Sequence, residues 1–301
     1  MIDHPAAPSG PRSDAVRGHY EAETGPDLPG RIRTLLEALP PGPVDPKHLA
    51  GLDQFHMGGL PATLRLVELA DPAPGAAVLD AGSGLGGPAR ILAATRGCRV
   101  VGVDLSPAYV SLAAMLAERT GLADAVTFQP GDLLALPFPD ARFDLVWTQH
   151  VAMNIADRAG LYGGFRRVLK PGGRLALHDV LRVDGAADPV YPVPWAETAA
   201  DSTLLTEAGT LDVLRRSGFR PVHWVDVTQE ALAWAAQPRP AASGGAASGG
   251  TPNGGAASGG TGVAVTLGAV MGARFGGMAA NFARNLREGR LRIVMGVFEA
   301  A

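Results

Sequence analysis

The sequence predicts an α/β protein with an open, mostly parallel sheet covered by helices on both faces. Three observations carry this. From residue 76 onward, short apolar runs alternate with helical stretches. A glycine-rich turn follows the first of those runs. The composition is globular, with 47% hydrophobic and 18% charged residues, and strand–helix alternation of this kind is the signature of a doubly wound parallel sheet.

Residues 1–13, rich in Pro and Gly, are expected to be mobile. From Asp14 to about Ala70 the pattern is helical, interrupted by Pro40, Pro41, Pro43 and Pro46. Arg31–Leu39 and Pro61–Leu69 carry the apolar spacing of amphipathic helices. Between them lies Asp53-Gln54-Phe55-His56-Met57-Gly58-Gly59, an unusual composition for a plain linker. Ala77–Asp80 reads as the first strand, followed by a helix over Pro88–Arg96. Arg99–Asp104 is the second strand, and Ser106 followed by Pro107 is an N-cap with proline at the first helical position. Val126–Phe128 and Phe143–Thr148 are the third and fourth strands, and Arg158–Leu169 is a helix. Lys170-Pro171-Gly172-Gly173 stops that helix and leads into a fifth strand, Arg174–Val180. A helix near Thr210–Arg216, a sixth strand over Pro221–Val227, helices near Gln229–Ala236 and Phe275–Arg287, and a C-terminal strand over Arg290–Phe298 complete the pattern. The last strand is expected to pair with the sixth.

Forty glycines and 25 prolines bring the chain close to low-complexity composition. Part of this surplus is local: Ala-Ala-Ser-Gly-Gly occurs at 241–245, 246–250 and 256–260. The stretch 238–262 lacks the apolar side chains needed to offset its ordering entropy, so it is expected to be a disordered surface loop. The net charge of -3 and the absence of a basic stripe argue against a nucleic-acid partner. One cysteine, Cys98, excludes an internal disulfide framework and a Cys-based zinc site. Met1–Pro11 has neither the basic nor the apolar region of a secretory leader, and no apolar run is long enough to span a membrane. A cytoplasmic protein is therefore expected, with a homodimer left open.

The strongest chemical signal is Asp80-Ala81-Gly82-Ser83-Gly84-Leu85-Gly86-Gly87. Glycines there let the chain turn sharply from strand to helix and let a ligand lie against bare backbone. Gly82, Gly84 and Gly87 fit a dinucleotide pattern, so a NAD-dependent oxidoreductase is one reading. Three carboxylates favour another. Asp80 sits at the end of strand one, Asp104 ends strand two 22 residues beyond Gly82 at the ribose-binding position, and Asp132 follows strand three, where it could accept from an adenine amino group. Such a crevice suits a cationic adenosine ligand, S-adenosyl-L-methionine, better than an anionic pyrophosphate.

Asp80–Gly87, Asp104, Asp132-Leu133, Leu136-Pro137-Phe138, Phe143-Asp144 and Arg167–Gly173 together resemble the class I S-adenosylmethionine-dependent methyltransferases. The likeness is to their small-molecule branch, which contains the quinone-biosynthesis, tocopherol and sarcosine/dimethylglycine enzymes, and it covers roughly residues 50–235. It implies a Rossmann-like doubly wound sheet of seven strands with the last one antiparallel. It also implies a helical N-terminal lid over residues 1–70, a methyltransferase domain over 71–301 and a cap insertion at about 182–207. Asp80, Gly82 and Ser83 with Gly84 are implied near the methionine moiety, Asp104 with Leu105 on the ribose, and Asp132 with Leu133 on the adenine; Gln149 joins them as a cofactor contact.

The acceptor pocket is expected beyond the carboxyl ends of strands four and five. His150 there is a candidate general base for a hydroxyl or ammonium acceptor, a role suited to a pKa near neutrality. Asn154, Tyr20, Tyr191 and Trp195 are the expected pocket walls, and His56, beside Gly58-Gly59, is a second catalytic candidate on a close-approach loop. Met271, Phe275, Met278 and Phe282 recur at helical spacing and are expected to pack rather than touch ligand. No metal is expected, since Asp179 stands alone after strand five. The expected reaction is methyl transfer to an oxygen, nitrogen or carbon of a small molecule in secondary metabolism, with an amine acid of the sarcosine type as a variant. A protein that binds the cofactor without catalysis is the rival from another class.

Overall fold

Each apolar run after residue 76 becomes a strand because both faces of the sheet are covered. In the computed structural model, which describes residues 11–25, 27–237, 272 and 274–301, seven strands form one sheet. They are β1 (Ala77–Ala81), β2 (Arg99–Asp104), β3 (Val126–Pro130), β4 (Phe143–Gln149), β5 (Leu169–Arg182), β6 (Phe219–Asp226) and β7 (Leu291–Ala300). Their order is β3-β2-β1-β4-β5-β7-β6. The first five run parallel, whereas β7 lies antiparallel between β5 and β6. The topological switch falls between β1 and β4, whose carboxyl ends open a crevice.

The connecting helices are α1 (Pro11–Thr24), α2 (Leu28–Glu37), α3 (Ala50–Asp53), α4 (Gly59–Ala70), α5 (Gly87–Arg96), α6 (Pro107–Arg119), α7 (Arg158–Val168), α8 (Glu207–Arg216), α9 (Thr228–Ala235) and α10 (Phe275–Arg287). Their boundaries follow local chemistry. Ser106 accepts from Tyr109 N at 3.3 Å to cap α6, and Asp157 accepts from Gly160 N at 2.8 Å to cap α7. Gly86 and Gly97 bracket α5 in the left-handed conformation.

Two expectations on element ends need correction. Pro11–Ser13, expected to be mobile, open α1; proline suits a first helical turn, where its missing N–H is no loss. Strand five does not begin after Gly173 but at Leu169, because Leu169 already pairs with Phe143 and the next pair is Arg174 with Leu145. Residues 170–173 therefore form a bulge within the strand, with Gly172 at φ 71°. The low-complexity stretch 238–262, the expected disordered loop, lies outside the described residues, as does Met271. Among the described residues, no helix is long and apolar enough to cross a membrane.

One apolar layer, including Val78, Leu92, Val100, Trp147 and Met295, packs on one face of the sheet; a second, including Leu79, Val146, Phe165, Leu177 and Phe298, packs on the other. Alternation along single strands, such as Val78 against Leu79, sends neighbours to opposite faces. A third cluster ties Leu28, Ile32, Leu49 and Leu52 of the N-terminal segment to Leu85, Leu112 and Leu116.

The N-terminal segment is also held by a buried ion pair. Arg90 Nη2 of α5 donates to Asp53 Oδ2 at 2.5 Å, and neither side chain is more than 1% exposed. Removing one member of such a pair strands a charge in the interior. Asp53→Ala should lower the unfolding free energy by about 3–5 kcal/mol in urea titration. Glu230→Ala, which breaks the exposed Arg65–Glu230 pair at 2.7 Å, should cost no more than about 1 kcal/mol.

Candidate functional site

The crevice at the switch point is floored by the turn between β1 and α5. Gly82, Gly84 and Gly86 have φ of 80°, 51° and 74°, a region that side-chain-bearing residues rarely adopt. A Cβ at Gly82 would also collide with the Val151 side chain. The turn is tied to β2: Gly82 N and Ser83 N donate to Val103 O at 2.8 and 3.1 Å, and Gly84 N donates to Asp104 Oδ2 at 2.8 Å. Asp104 Oδ1 accepts from Ser106 N at 3.0 Å. Asp104 is thus fixed at both oxygens by backbone donors, each oxygen keeping one further lone pair for a ligand.

Above this floor lies a cavity of about 600 Å³, within the size range of small-molecule and cofactor sites. Of the expected site residues, it brings together Tyr20, His56, Gly82, Gly84, Asp104, Leu105, Asp132, Leu133, Gln149, His150, Asn154 and Trp195 on its walls. Three expected residues lie elsewhere. Asp80 is 2% exposed behind the turn, and its Oδ2 has no hydrogen-bond partner. Ser83 is likewise buried, its hydroxyl also unpartnered and directed at Gly102. Tyr191 packs against the apolar layer that contains Val78 and Trp147 instead of lining the cavity. The following Pro192 accepts from Asn281 Nδ2 at 2.9 Å and holds this stretch against α10. Trp195 reaches the wall from a buried seat: it is 4% exposed, its Nε1 donates to Ser202 Oγ at 2.9 Å and its ring meets Phe282 edge-on at 5.0 Å.

Helix α1 covers the cavity and touches both ends of it. Ser13 Oγ donates to Asp132 Oδ2 at 2.7 Å, and Ser106 Oγ donates to Glu21 Oε1 at 3.0 Å. Farther along, Asn154 Nδ2 donates to the Tyr20 hydroxyl at 3.3 Å, and His19 Nε2 lies 3.2 Å from Pro194 O. Burial pushes the Tyr20 phenol up to about 12, so its oxygen keeps its proton throughout the neutral range.

The far wall contains a cluster that the sequence did not disclose in full. His178, on β5, is 1% exposed; its ring lies 4.7 Å from His150 and 5.3 Å from His56. His56 itself is 6.0 Å from His150. Gln149 orders the cluster, accepting at Oε1 from Trp147 Nε1 at 3.0 Å and placing Nε2 3.3 Å from His178 Nδ1. Thr63 Oγ1 donates to Gln54 Oε1 at 2.6 Å and lies 3.0 Å from His56 Nε2. These three histidines could have been grouped only from knowing that β4 and β5 are neighbours and that the 54–59 loop folds back over both. Their rings do not make a metal site: among the described residues no group of three or more His, Cys, Asp or Glu is arranged to hold a metal ion.

Electrostatics divide the residues sharply. Burial, then repulsion by Asp104, pushes Asp80 up to about 7. Burial lowers His56 to about 4 and holds His150 and His178 well below the usual histidine range. The expected near-neutral titration of His150 is therefore corrected: desolvation keeps the imidazole uncharged. His150 also has φ 52°, and its N–H donates to His178 O at 2.7 Å. Asp179, which among the described residues stands apart from other carboxylates, lies 4.0 Å from Arg158 within the interior.

Residues 79–177 match the family model described as a methyltransferase domain. The chain is 40% identical over 111 residues to sterol 24-C-methyltransferase ERG6B of Gibberella zeae, covering 37% of this chain and 29% of that protein. It is 30% identical over 177 residues to a probable chloroplastic tocopherol O-methyltransferase of Oryza sativa subsp. japonica, covering 52% of this chain and 49% of the relative. The chain thus spans half or less of the length of these two relatives. Among solved structures, it superposes on geranyl diphosphate C-methyltransferase from Streptomyces coelicolor A3(2) in complex with Mg2+, geranyl-S-thiolodiphosphate and S-adenosyl-L-homocysteine. The TM-score is 0.69 at 19% identity, over 98% of this chain and 100% of the other. The seven-stranded sheet with its antiparallel last strand is the fold shared with that structure. Residues 79–177 therefore form a methyltransferase domain, and the chain is related to the S-adenosylmethionine-dependent methyltransferases.

Proposed function

We propose that this protein binds S-adenosyl-L-methionine and transfers its methyl group to an oxygen, nitrogen or carbon atom of a small-molecule acceptor. The observation that carries the reading is the turn of left-handed glycines on the cavity wall, with Asp104 fixed beside it by two backbone donors. Asp80 stands behind that turn, its Oδ2 unpartnered and its nearby cation Arg90 already engaged by Asp53, so its charge would act on the cofactor's ammonium from behind the turn. Gly82 and Gly84 offer bare backbone to the methionine moiety, Asp104 offers its remaining lone pairs to ribose hydroxyls, and Asp132 with Leu133 forms the wall for the adenine. The residues present fit the group.

The cofactor, when bound, supplies an activated methyl and its leaving group. The chain's contribution is alignment, exclusion of water and custody of the acceptor's proton. Helix α1 lies over the cavity, bonded to Asp132 through Ser13 and to Asn154 through Tyr20, where it would help to shield the reaction from water. No nucleophilic side chain is needed, because the acceptor itself attacks. The net charge of -3 and a cavity of about 600 Å³ favour a small molecule over nucleic acid as acceptor.

Two measurements test the cofactor assignment. Asp104→Ala should abolish S-adenosylhomocysteine binding in calorimetry, since it removes the ribose contact and the acceptor that holds Gly84 N. Unchanged affinity, or binding of reduced nicotinamide dinucleotide in its place, would sink the assignment.

The second measurement is pH. An ionised Asp80 would draw the cofactor's ammonium toward the turn, so affinity for S-adenosylhomocysteine should fall as pH drops through about 7. In the ligand-free protein the sign is opposite. A raised carboxyl pKa contributes stability that is present in full below the unfolded value and lost as pH rises through about 7. An affinity that stays flat from about pH 5.5 to 8.5 in the wild type would remove Asp80 from this role.

A further inference from the structure

Resting on the methyl-transfer reading, we infer the acceptor's class: an apolar molecule that presents an uncharged hydroxyl group, so that the reaction is O-methylation.

The first observation is the wall built by α9, α10 and the segment around Trp195. The residues it contributes to the cavity, among them Trp195, Trp234, Ala279, Phe282 and Ala283, carry no charge. Small side chains on α10 at Ala279 and Ala283 leave space there, while the rings of Trp195 and Phe282 bound it. Charged lining residues do occur, but their charges are engaged or exposed. Arg17 pairs with Asp14 at 2.8 Å, Asp132 accepts from Ser13, Asp104 accepts from two backbone N–H groups, Asp157 caps α7 and Arg12 is exposed. A carboxylate, phosphate or ammonium group seated against this apolar wall, away from Arg12 and Arg17 on α1, would have to shed its water with no counter-charge on the wall itself, which costs several kcal/mol or more.

The second observation is independent of the wall. Asn154 is 7% exposed and lines the cavity; its Nδ2 is committed to the Tyr20 hydroxyl, and its Oδ1 has no partner. A buried amide oxygen can only accept, so it calls for an O–H or N–H on the molecule beside it. Nearby, the second unpartnered atom is His150 Nε2, also on the cavity wall and also buried. An acceptor whose reacting carbon stands in plain hydrocarbon offers no donor to either atom. An aliphatic amine offers one but arrives as a cation at neutral pH. A hydroxyl satisfies both constraints, since it donates and is uncharged in water.

The step balances with these groups alone. The hydroxyl oxygen forms its bond to the methyl carbon as the carbon–sulfur bond breaks, and that bonding pair stays on sulfur. The hydroxyl proton passes to His150 Nε2. Burial, which keeps His150 neutral before the step, drives the proton onward to solvent after it.

The test uses the full chain saturated with S-adenosylhomocysteine, whose binding is measured first; absence of that binding is failure of the cofactor reading and is visible before any acceptor probe is added. Calorimetry then compares 2-naphthol and 1-decanol with their methyl ethers, and with 2-naphthoate and decylamine. At least one alcohol should bind about tenfold or more tightly than its own ether and than either charged probe. Asn154→Ala should erase the alcohol–ether gap while S-adenosylhomocysteine affinity is retained. Ala279→Phe should weaken the alcohol by about tenfold or more by filling the chamber. Equal binding of alcohol and ether in the wild type overturns the proposal. So do tighter binding of a charged probe and absence of binding by both alcohols.

Discussion

The Arg90–Asp53 pair is the constraint on which the rest of the site depends. Arg90 stands in the first turn of the helix that follows the glycine turn; its guanidinium donates to Leu85 O at 2.8 Å as well as to Asp53. Asp53 in turn accepts from Gln54 Nε2 at 3.1 Å, and Gln54 Oε1 accepts from Thr63, which also reaches Gln149. One buried charge thereby fixes, in sequence, the cofactor turn, the loop bearing His56, and the strand end bearing Gln149 and His150. Ion pairs of this kind add little to stability compared with an apolar filling, yet they tolerate few alternative arrangements. The bare face of Gly87 completes the joint, since a Cβ there would come within 2.5 Å of the Asp53 carbonyl oxygen.

The cavity that results is asymmetric in charge. On the side of β1, β2 and β3, carboxylates at 80, 104 and 132 face or back the turn, and two of them carry backbone donors that keep them in place. On the side of β4, β5 and α10, three histidines are neutral and the remaining wall is hydrocarbon and amide. On the proposed function, a sulfonium would be drawn toward the first side and an uncharged acceptor toward the second. Both would then be held under one helix.

Much of this was readable in the chain. The strands, the caps at Ser106 and the glycine turn declare themselves through local rules, because their determinants lie within a few residues of one another. Asp104 could be placed on the cavity wall for the same reason: strand end and glycine turn are adjacent by the fold's connectivity. What stayed hidden depends on distant pairings. Arg90 looks like any basic residue on a helix until Asp53, 37 positions earlier, is seen beside it. His178 reads as one polar residue inside a strand, and nothing local says that its ring lies 4.7 Å from that of His150. Tyr191 has the composition of a pocket wall, but its surroundings turn it toward the core. Helix α1 was hidden in its first turn by proline and glycine content, although proline at that position favours the helix.

The placement of β7 bears on how the molecule is made. Because β7 lies between β5 and β6, β6 has no neighbour in the sheet when it first leaves the ribosome. Its ladder, from Phe219 with Ala300 to Asp226 with Val294, joins residues far apart in sequence. During synthesis the five parallel strands can assemble on their own, whereas β6 stays an open edge, liable to wrong partners, until residues 291–300 are delivered. A chain lacking residues 291–300 would therefore keep the parallel half of the sheet and leave β5 and β6 without the strand that joins them. On the proposed function, the acceptor side, which rests on β7, would be the more sensitive of the two to loss of that strand.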